Sequence, residues 1–349
     1  MNELPVNTAL MSYGMSGEVF HAPLLSALGA FKLSTVLQRS SDKVREHFPA
    51  IRIVRSAEEI LDNEDIELVV VNTPNETHFK FVARALQSGK HVVVEKPFTV
   101  TSHDAAELIS IAKKAQRMLT VFQNRRWDSD FLTVKKIINS QELGRIAEFE
   151  AHYDRFRNYV EANSWKEERA PGTGILYNLG SHMLDQVVML FGMPEYVDAR
   201  VGIQRPGGKV DDFYDIRLEY KRHLVIVKSS YLVKEPGPRY IVHGVNGSFV
   251  KYGIDPQEQA LKEKRDPRDK SWGVEPEEQW GKLNVLKEGK SVERRVPSEA
   301  GDYLAFYRNI HDVIRRGAEP AVKPEEAWSV IRLIEACYES NKNKCAIKV

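Results

Sequence analysis

Five short apolar runs punctuate the first third of the chain, and an amphipathic segment fills each long gap between them. The runs are residues 7–12, 31–38, 68–73, 91–95 and 118–122. Each is too short for a core helix and long enough for a strand. The run at 91–95, His-Val-Val-Val-Glu, has no polar residue between its ends, as expected of a strand buried on both faces of a parallel sheet. Residues 18–28, 78–88 and 102–115 repeat apolar side chains at helical spacing. Ser56-Ala-Glu-Glu59 reads as a capping box: Ser56 accepts from the Glu59 amide and the Glu59 carboxylate reaches back. Strands alternating with helices at this spacing predict βαβ units and a parallel sheet.

Past residue 124 the pattern changes. Strand-like segments at 145–155, 196–201, 213–220, 224–232, 239–242 and 247–250 lie close together, several joined by turn-length connections. They predict an antiparallel sheet with one helix, 173–191, inserted near its start. Residues 255–270 are highly charged and read as a solvated helix and loop; 300–316 and 324–341 read as amphipathic helices. The 349 residues therefore divide into an α/β Rossmann domain with a parallel sheet, 1–124, and an α+β domain with a large open antiparallel sheet, 125–349. A net charge of +1 gives no basic field for nucleic acid or an anionic membrane. No segment approaches the roughly 20 apolar residues of a membrane span, and the N-terminus has no basic leader, so a cytoplasmic location is expected. Cys337 and Cys345 suit neither a zinc ribbon nor a redox CxxC and are expected as reduced thiols.

The first strand runs into Ser12-Tyr-Gly14-Met-Ser16-Gly17. A dinucleotide-binding turn has three glycines: one for the tight turn, one for backbone approach to pyrophosphate, one for helix–strand packing. Gly14 and Gly17 hold the second and third places, with Ser16 between them, and Ser12 stands in the first. Arg39 follows the second strand, 22 residues beyond Gly17, with Ser40 and Ser41 after it. An acidic residue near there binds a ribose 2′-hydroxyl, whereas a basic one accommodates a 2′-phosphate. Arg39 and Ser40 therefore point to NADP, with NAD as the alternative. The next strand ends in Thr73-Pro74-Asn75, with His78 following. Pro74 stops the strand and Asn75 caps a helix; the same residues lie where a nicotinamide ribose would rest. His78 reads equally as a first-turn surface histidine.

A second signal is Glu95-Lys96-Pro97, which places a charge at the carboxyl end of a buried strand, the edge where open α/β sheets bind ligands. A third is the block from Gly174 to Asp185. On a helix Asn178, His182 and Asp185 share one face amid Leu, Met and Val. His182 and Asp185 lack further partners for a metal. His182 reads as a general acid/base, with a satisfied core histidine as the alternative.

Together the glycine turn, Thr73-Pro74-Asn75 with His78, Glu95-Lys96-Pro97 and Gly180-Ser-His182-Met-Leu-Asp185 resemble the Gfo/Idh/MocA family of oxidoreductases over essentially the whole chain. Residues 19–25, 122–128 and 252–257 resemble its NADP-dependent scyllo-inositol dehydrogenase subgroup most. The resemblance implies hydride transfer between nicotinamide and a secondary hydroxyl of a cyclic polyol or sugar. It implies that Lys96 stabilises the alkoxide and His182 takes the hydroxyl proton. Asn124 and Arg125 would lie by the nicotinamide with Glu95. Tyr153, Arg155, Arg157, Trp165 and Tyr177 would line the substrate pocket, although Arg155 and Arg157 also read as solvated. A homodimer or homotetramer is implied, with no metal. Asn178 stands where many relatives carry aspartate and cannot ionise. A non-catalytic cofactor-binding regulator, or an NAD-dependent enzyme acting on another sugar, are the competing expectations.

Overall fold

A computed structural model describes residues 4–162 and 164–349, the Trp165 side chain excepted. The chain forms two compact units, each discontinuous in sequence. The first comprises Met1–Trp127, Gln257–Trp272 and Asp302–Trp328; the second comprises Asp128–Pro256, Gly273–Gly301 and Ser329–Val349.

In chain order the first unit contains β1 (Val6–Leu10), α1 (Ala22–Ala27), β2 (Phe31–Leu37), β3 (Arg52–Val54), α2 (Glu58–Leu61), β4 (Leu68–Val71), α3 (His78–Gln87), β5 (His91–Val94), α4 (Ser102–Ala115) and β6 (Leu119–Val121). The sheet order is β3-β2-β1-β4-β5-β6 and every pairing is parallel. Connections run outward to one side from β1 and to the other from β4, so the topological switch point lies between these two strands. The glycine turn emerges there, immediately after β1. Strand β3 was not foreseen: it is three residues long and begins with an exposed arginine. The helix expected over 18–28 is divided. Gly17–His21 form a wider π-type turn, and α1 follows with Pro23 in its first turn. At the capping box Glu59 does reach back to the Ser56 amide (3.1 Å). Ser56 Oγ, however, donates to the same carboxylate (3.2 Å) instead of accepting from the Glu59 amide, and the helix starts one residue later than the motif implies.

The second unit contains α5 (Ser129–Asn139), β7 (Ile146–His152), α6 (Ser181–Phe191), β8 (Tyr196–Gly202), β9 (Phe213–Glu219), β10 (Leu224–Ser230), β11 (Tyr240–Gly244) and β12 (Gly247–Lys251). After α7 (Gln257–Lys262), which belongs to the first unit, come β13 (Gly281–Lys287) and β14 (Lys290–Val296). Then follow α8 (Leu304–Arg316, first unit), α9 (Pro324–Asn343) and β15 (Ile347–Lys348). The nine strands order as β14-β13-β12-β11-β7-β10-β9-β8-β15. The antiparallel expectation needs one correction: β7 and β10 pair in parallel, because α6, β8 and β9 intervene and bring the chain back in the same direction. Along β7, Phe149 and Ala151 are buried while Glu148, Glu150 and His152 are half-buried, so one face is core and the other polar. Strand β14 lies at one edge, with Lys290, Glu293, Arg294 and Arg295 exposed along it; the two-residue β15 lies at the other.

The first unit recovers chain that has left it, and the 3₁₀ turn Asn124–Trp127 is where this happens. Arg125 Nη2 donates to Glu258 (2.5 Å), the second residue of α7. Arg126 Nη1 donates to Ala321 O (2.9 Å) and Glu326 Oε2 (2.8 Å). Gln257, fully buried, donates to Trp127 O (3.0 Å) and accepts from Tyr303 N and Trp272 Nε1 (both 2.8 Å). A Gln257→Leu variant keeps the volume and removes these three hydrogen bonds, leaving Trp127 O only the bond from Asp302 N (3.0 Å). It should cost about 3 kcal/mol or more, seen as a lower thermal midpoint and faster proteolysis within 257–272.

Candidate active site

In the first unit, the turn after β1 shows why each of its positions is occupied as it is. A side chain at Gly17 would sit 2.6 Å from Ser12 O and 2.9 Å from Asn72 Nδ2, so only glycine fits. Ser12 performs the turn-closing task of the missing first glycine through its hydroxyl, which accepts from Gly14 N (3.2 Å). A Cβ on Gly14 would meet nothing nearer than Ser12 Oγ at 3.6 Å, and Gly14 does not adopt a positive φ. The chain's own packing therefore does not demand glycine at 14. Ser16 occupies the N-cap position of the wide turn. Asn72, just past β4, ties its amide to Ser12 O (2.9 Å).

Arg39 and Ser40 are exposed beyond the end of β2. Their loop is held by Arg55, whose Nη1 donates to Gln38 O (2.6 Å) and Ser41 O (2.9 Å) and whose Nη2 meets Asp42 (2.5 Å). His78 is not a surface residue. It is fully buried, with Nδ1 2.9 Å from Pro97 O and Nε2 2.9 Å from Thr73 O, and burial lowers its pKa. It thus joins the Thr73-Pro74-Asn75 corner to the segment after Lys96. Glu95 continues directly from β5. Its Oε1 accepts from His21 Nε2 (3.0 Å) and its Oε2 from the Lys96 amide (3.0 Å). Burial alone would raise the Glu95 carboxyl, yet the His21 bond and the Lys96 charge hold it below its usual value. Asn124 and Arg125 are both buried.

In the second unit, Leu176–Gly180 form another π-type turn that runs into α6. Such insertions in helices often mark functional sites. Asn178 lies within the wide turn and is half-buried; His182 and Asp185, one helical step apart, are buried in α6. The turn is anchored by Asp211, which accepts from Leu176 N (3.0 Å) and from the Tyr338 hydroxyl (2.9 Å). Burial pushes the Asp211 carboxyl up against these two bonds. Gly174 has φ +100°, and a side chain there would collide with the Asp211 carboxylate. Tyr177 stacks on Tyr338 (centroids 6.0 Å apart), and its hydroxyl is pushed up to about 12, chiefly by burial. The buried Tyr153 ring carries the guanidinium groups of Arg155 (5.4 Å) and Arg239 (4.3 Å). Arg157 and Arg205 share the Tyr231 ring at 5.6 and 4.8 Å. The two arginines read as solvated are thus half-buried against aromatic faces. The Trp165 side chain lies outside the described residues.

Family profiles match both parts of the chain. One, described as oxidoreductase family, NAD-binding Rossmann fold, matches residues 6–123; another, described as oxidoreductase family, C-terminal alpha/beta domain, matches 135–349. The chain belongs to the Gfo/Idh/MocA family of oxidoreductases. It is 41% identical, over 98% of its length and 95% of the relative's, to the scyllo-inositol 2-dehydrogenase (NADP(+)) IolW of Bacillus subtilis. The solved structure of the oxidoreductase yvaA from Bacillus subtilis matches with a TM-score of 0.97 and 40% identity, covering all of both chains. An oxidoreductase structure from Bacteroides fragilis matches with a TM-score of 0.91 and 43% identity, over 99% of this chain and all of that one.

The residues present fit the nicotinamide dinucleotide of this Gfo/Idh/MocA domain. Gly14 leaves open backbone that packing does not require, at the switch point where the fold takes its ligand. Nearby in sequence to the ends of β4 and β6, Asn72 Oδ1 and Gln123 Oε1 are buried with no hydrogen-bond partner among the described residues. Among the described residues no group of His, Cys, Asp or Glu is arranged to hold a metal ion.

Sequence inspection missed Arg55, Glu258, His21, Tyr307, Asp211 and Tyr338. Their partners lie far off in sequence: His21 and Tyr307 are 286 residues apart. The weak signal available was a polar residue within an apolar stretch, as in Val19-Phe-His21-Ala and Ala305-Phe-Tyr307.

Two outcomes follow from this geometry. Gly17→Ala should displace the turn and weaken NADPH and NADH binding at least about tenfold. Gly14→Ala should leave the thermal midpoint unchanged while still weakening both, read by fluorescence titration. Glu258 supplies a pH signature. Burial raises its carboxyl, but the Arg125 charge and the Lys262 bond prevail and hold it at about 2, below the ordinary 4.5. Its contribution to stability is complete above about pH 4.5 and is lost as pH falls through about 2. Thermal midpoints measured across that window should fall less steeply in Glu258→Gln than in the parent.

Proposed function

We propose that this chain is an NADP(H)-linked dehydrogenase that oxidises a secondary hydroxyl of a cyclic polyol or sugar resembling scyllo-inositol. The observation that carries the proposal is Lys96 leaving the carboxyl end of β5 in the sheet that holds the glycine turn. In this reading Gly14, Ser16, Gly17, Thr73, Pro74, Asn75, His78, Glu95, Lys96, Asn124 and Arg125 hold the dinucleotide, directly or by shaping its cradle. Arg39 and Ser40 meet the 2′-phosphate, for which two exposed donors after β2 are suited, the carboxylate of nearby Asp42 being held by Arg55. Nicotinamide, when bound, supplies the hydride acceptor.

The chain's own residues handle the proton and the charge. The Lys96 ammonium hydrogen-bonds the reacting hydroxyl oxygen and stabilises negative charge as it develops there. The His182 imidazole accepts the hydroxyl proton, a task its ordinary pKa range suits. Asn178 orients a substrate hydroxyl or the imidazole without exchanging a proton. Tyr153, Arg155, Arg157, Trp165 and Tyr177 line the polyol site, supplying aromatic faces and fixed donors. The B. subtilis relative named as an NADP-dependent scyllo-inositol dehydrogenase supports the substrate class. The proposal includes a cytoplasmic homodimer or homotetramer that uses the polar face of the nine-stranded sheet.

Initial rates with NADP+ and NAD+ on scyllo-inositol, myo-inositol and a panel of aldoses test this. Scyllo-inositol with NADP+ should give the highest kcat/KM, and Arg39→Ala should narrow the cofactor preference by about tenfold. Lys96→Ala and His182→Ala should each lower kcat by about 10²-fold or more with NADPH still bound. Loss of NADPH binding in both variants would refute the assigned roles; turnover of none of the polyols would refute the substrate class.

A further inference from the structure

Beneath Lys96 lies a polar chain that the proposed chemistry does not yet use. His21 ends the wide turn that follows the glycines and is fully buried. Its Nε2 is 3.0 Å from Glu95 Oε1 and its Nδ1 2.7 Å from the hydroxyl of Tyr307, on α8. Tyr307 is also fully buried, among Phe31, Phe122 and Phe306 at centroid distances of 5.6, 6.0 and 5.2 Å. The His21 ring packs on Phe122 at 4.5 Å.

The hydrogens can be assigned from the partners. An ionised Glu95 only accepts, so Nε2 must carry a proton. If His21 were an imidazolium, Nδ1 would also donate and the Tyr307 proton would face an aromatic cluster with no acceptor, a costly arrangement when buried. A neutral imidazole protonated on Nε2 satisfies every member: the Tyr307 hydroxyl donates to Nδ1, and Nε2–H donates to Glu95.

We propose that Tyr307 and His21 are positioning residues for Lys96: they hold the Glu95 carboxylate ionised and fixed, and that carboxylate in turn fixes the Lys96 backbone and sets a negative charge beside its ammonium. This rests on the role proposed for Lys96. Among the described residues, the charged and titratable groups that face Glu95 are His21 from the wide turn before α1, Lys96 beside it, His78 from α3 and Tyr307 from α8. Burial lowers the His78 pKa and raises that of Tyr307, so it works against the charged form of each. His21 and Lys96 are thus the neighbours that oppose protonation of Glu95. Without the His21 donor, burial would raise the Glu95 carboxyl, and the active form would be lost at higher pH.

Two measurements test the proposal. The first needs no substrate: two-bond proton–nitrogen correlation on protein with 15N-labelled histidine, His21 being assigned by its loss in His21→Gln. At neutral pH the His21 ring proton should sit on Nε2, and Tyr307→Phe should move its Nδ1 signal. A proton on Nδ1, or an imidazolium, would overturn the relay. The second is the pH profile of kcat/KM. His21→Leu should move the acid limb to higher pH and lower the rate at neutral pH by about tenfold. His21→Gln, which keeps an N–H donor, should restore most of both. Tyr307→Phe, lacking one oxygen, should shift the limb the same way by less, and serves where His21→Leu does not fold. A loss equal at all pH values, with the limb unmoved, would make the chain merely structural. If the parent turns over no polyol, the proposed function fails while the nitrogen measurement still decides the relay.

Discussion

The first unit depends on two adjacent arginines at the point where the chain leaves it. A six-stranded all-parallel sheet must be covered on both faces, and the βαβ crossovers do not complete the first unit by themselves. The missing parts arrive from residues more than a hundred positions later. Arg125 takes in α7 through Glu258, and Arg126 takes in the start of α9 and the segment before it through Glu326 and Ala321. Gln257 closes the join by satisfying Trp127, Tyr303 and Trp272 together. Breaking one side of a buried ion pair is far costlier than never having formed it. Such a join therefore commits the chain to this discontinuous arrangement more than it adds net stability.

The same economy recurs around the candidate site. α8, which this join secures, brings Tyr307 to His21, and His21 reaches the carboxylate beside Lys96. His78 binds the corner after β4 to the segment after Lys96 through two carbonyls. In the second unit Asp211 performs the corresponding task for the wide turn before α6, with Tyr338 as its second donor. In each unit the residues proposed to meet ligand rest on buried polar groups whose partners come from distant chain.

That distance explains what was legible in the sequence. Strands β1, β2 and β4–β6 could be read because Val and Leu runs between amphipathic stretches admit one arrangement. The helix Ser102–Ala115 was readable to both ends from its apolar spacing; Thr101 caps its start on Asp104 N and a left-handed Gln116 closes its end. The β13–β14 hairpin was not foreseen: Leu283 and Val285 alternate with Lys282 and Asn284 over only a few residues of β13, and Lys, Glu and Arg along β14 give no apolar alternation. Nor was α5. The parallel β7–β10 pairing depends on connection topology, which local pattern does not encode. At the site, residues with a local motif stood out: the glycine turn, Lys96 and the Asn178–His182–Asp185 spacing. His21, Tyr307, Asp211 and Tyr338 matter through contacts made across long separations, and no short window contains both partners.

The margins of the nine-stranded sheet carry a last consequence. A strand edge is a row of unsatisfied peptide groups on which another strand can grow. Here one margin, β14, bears four exposed charges in seven residues, and the other, β15, is two residues long. An incoming strand would find at one side closely spaced charges to desolvate and at the other too little backbone to grip. The sheet is thereby terminated at nine strands, which guards a broad β-surface against the ribbon-like polymerisation that its width would otherwise invite.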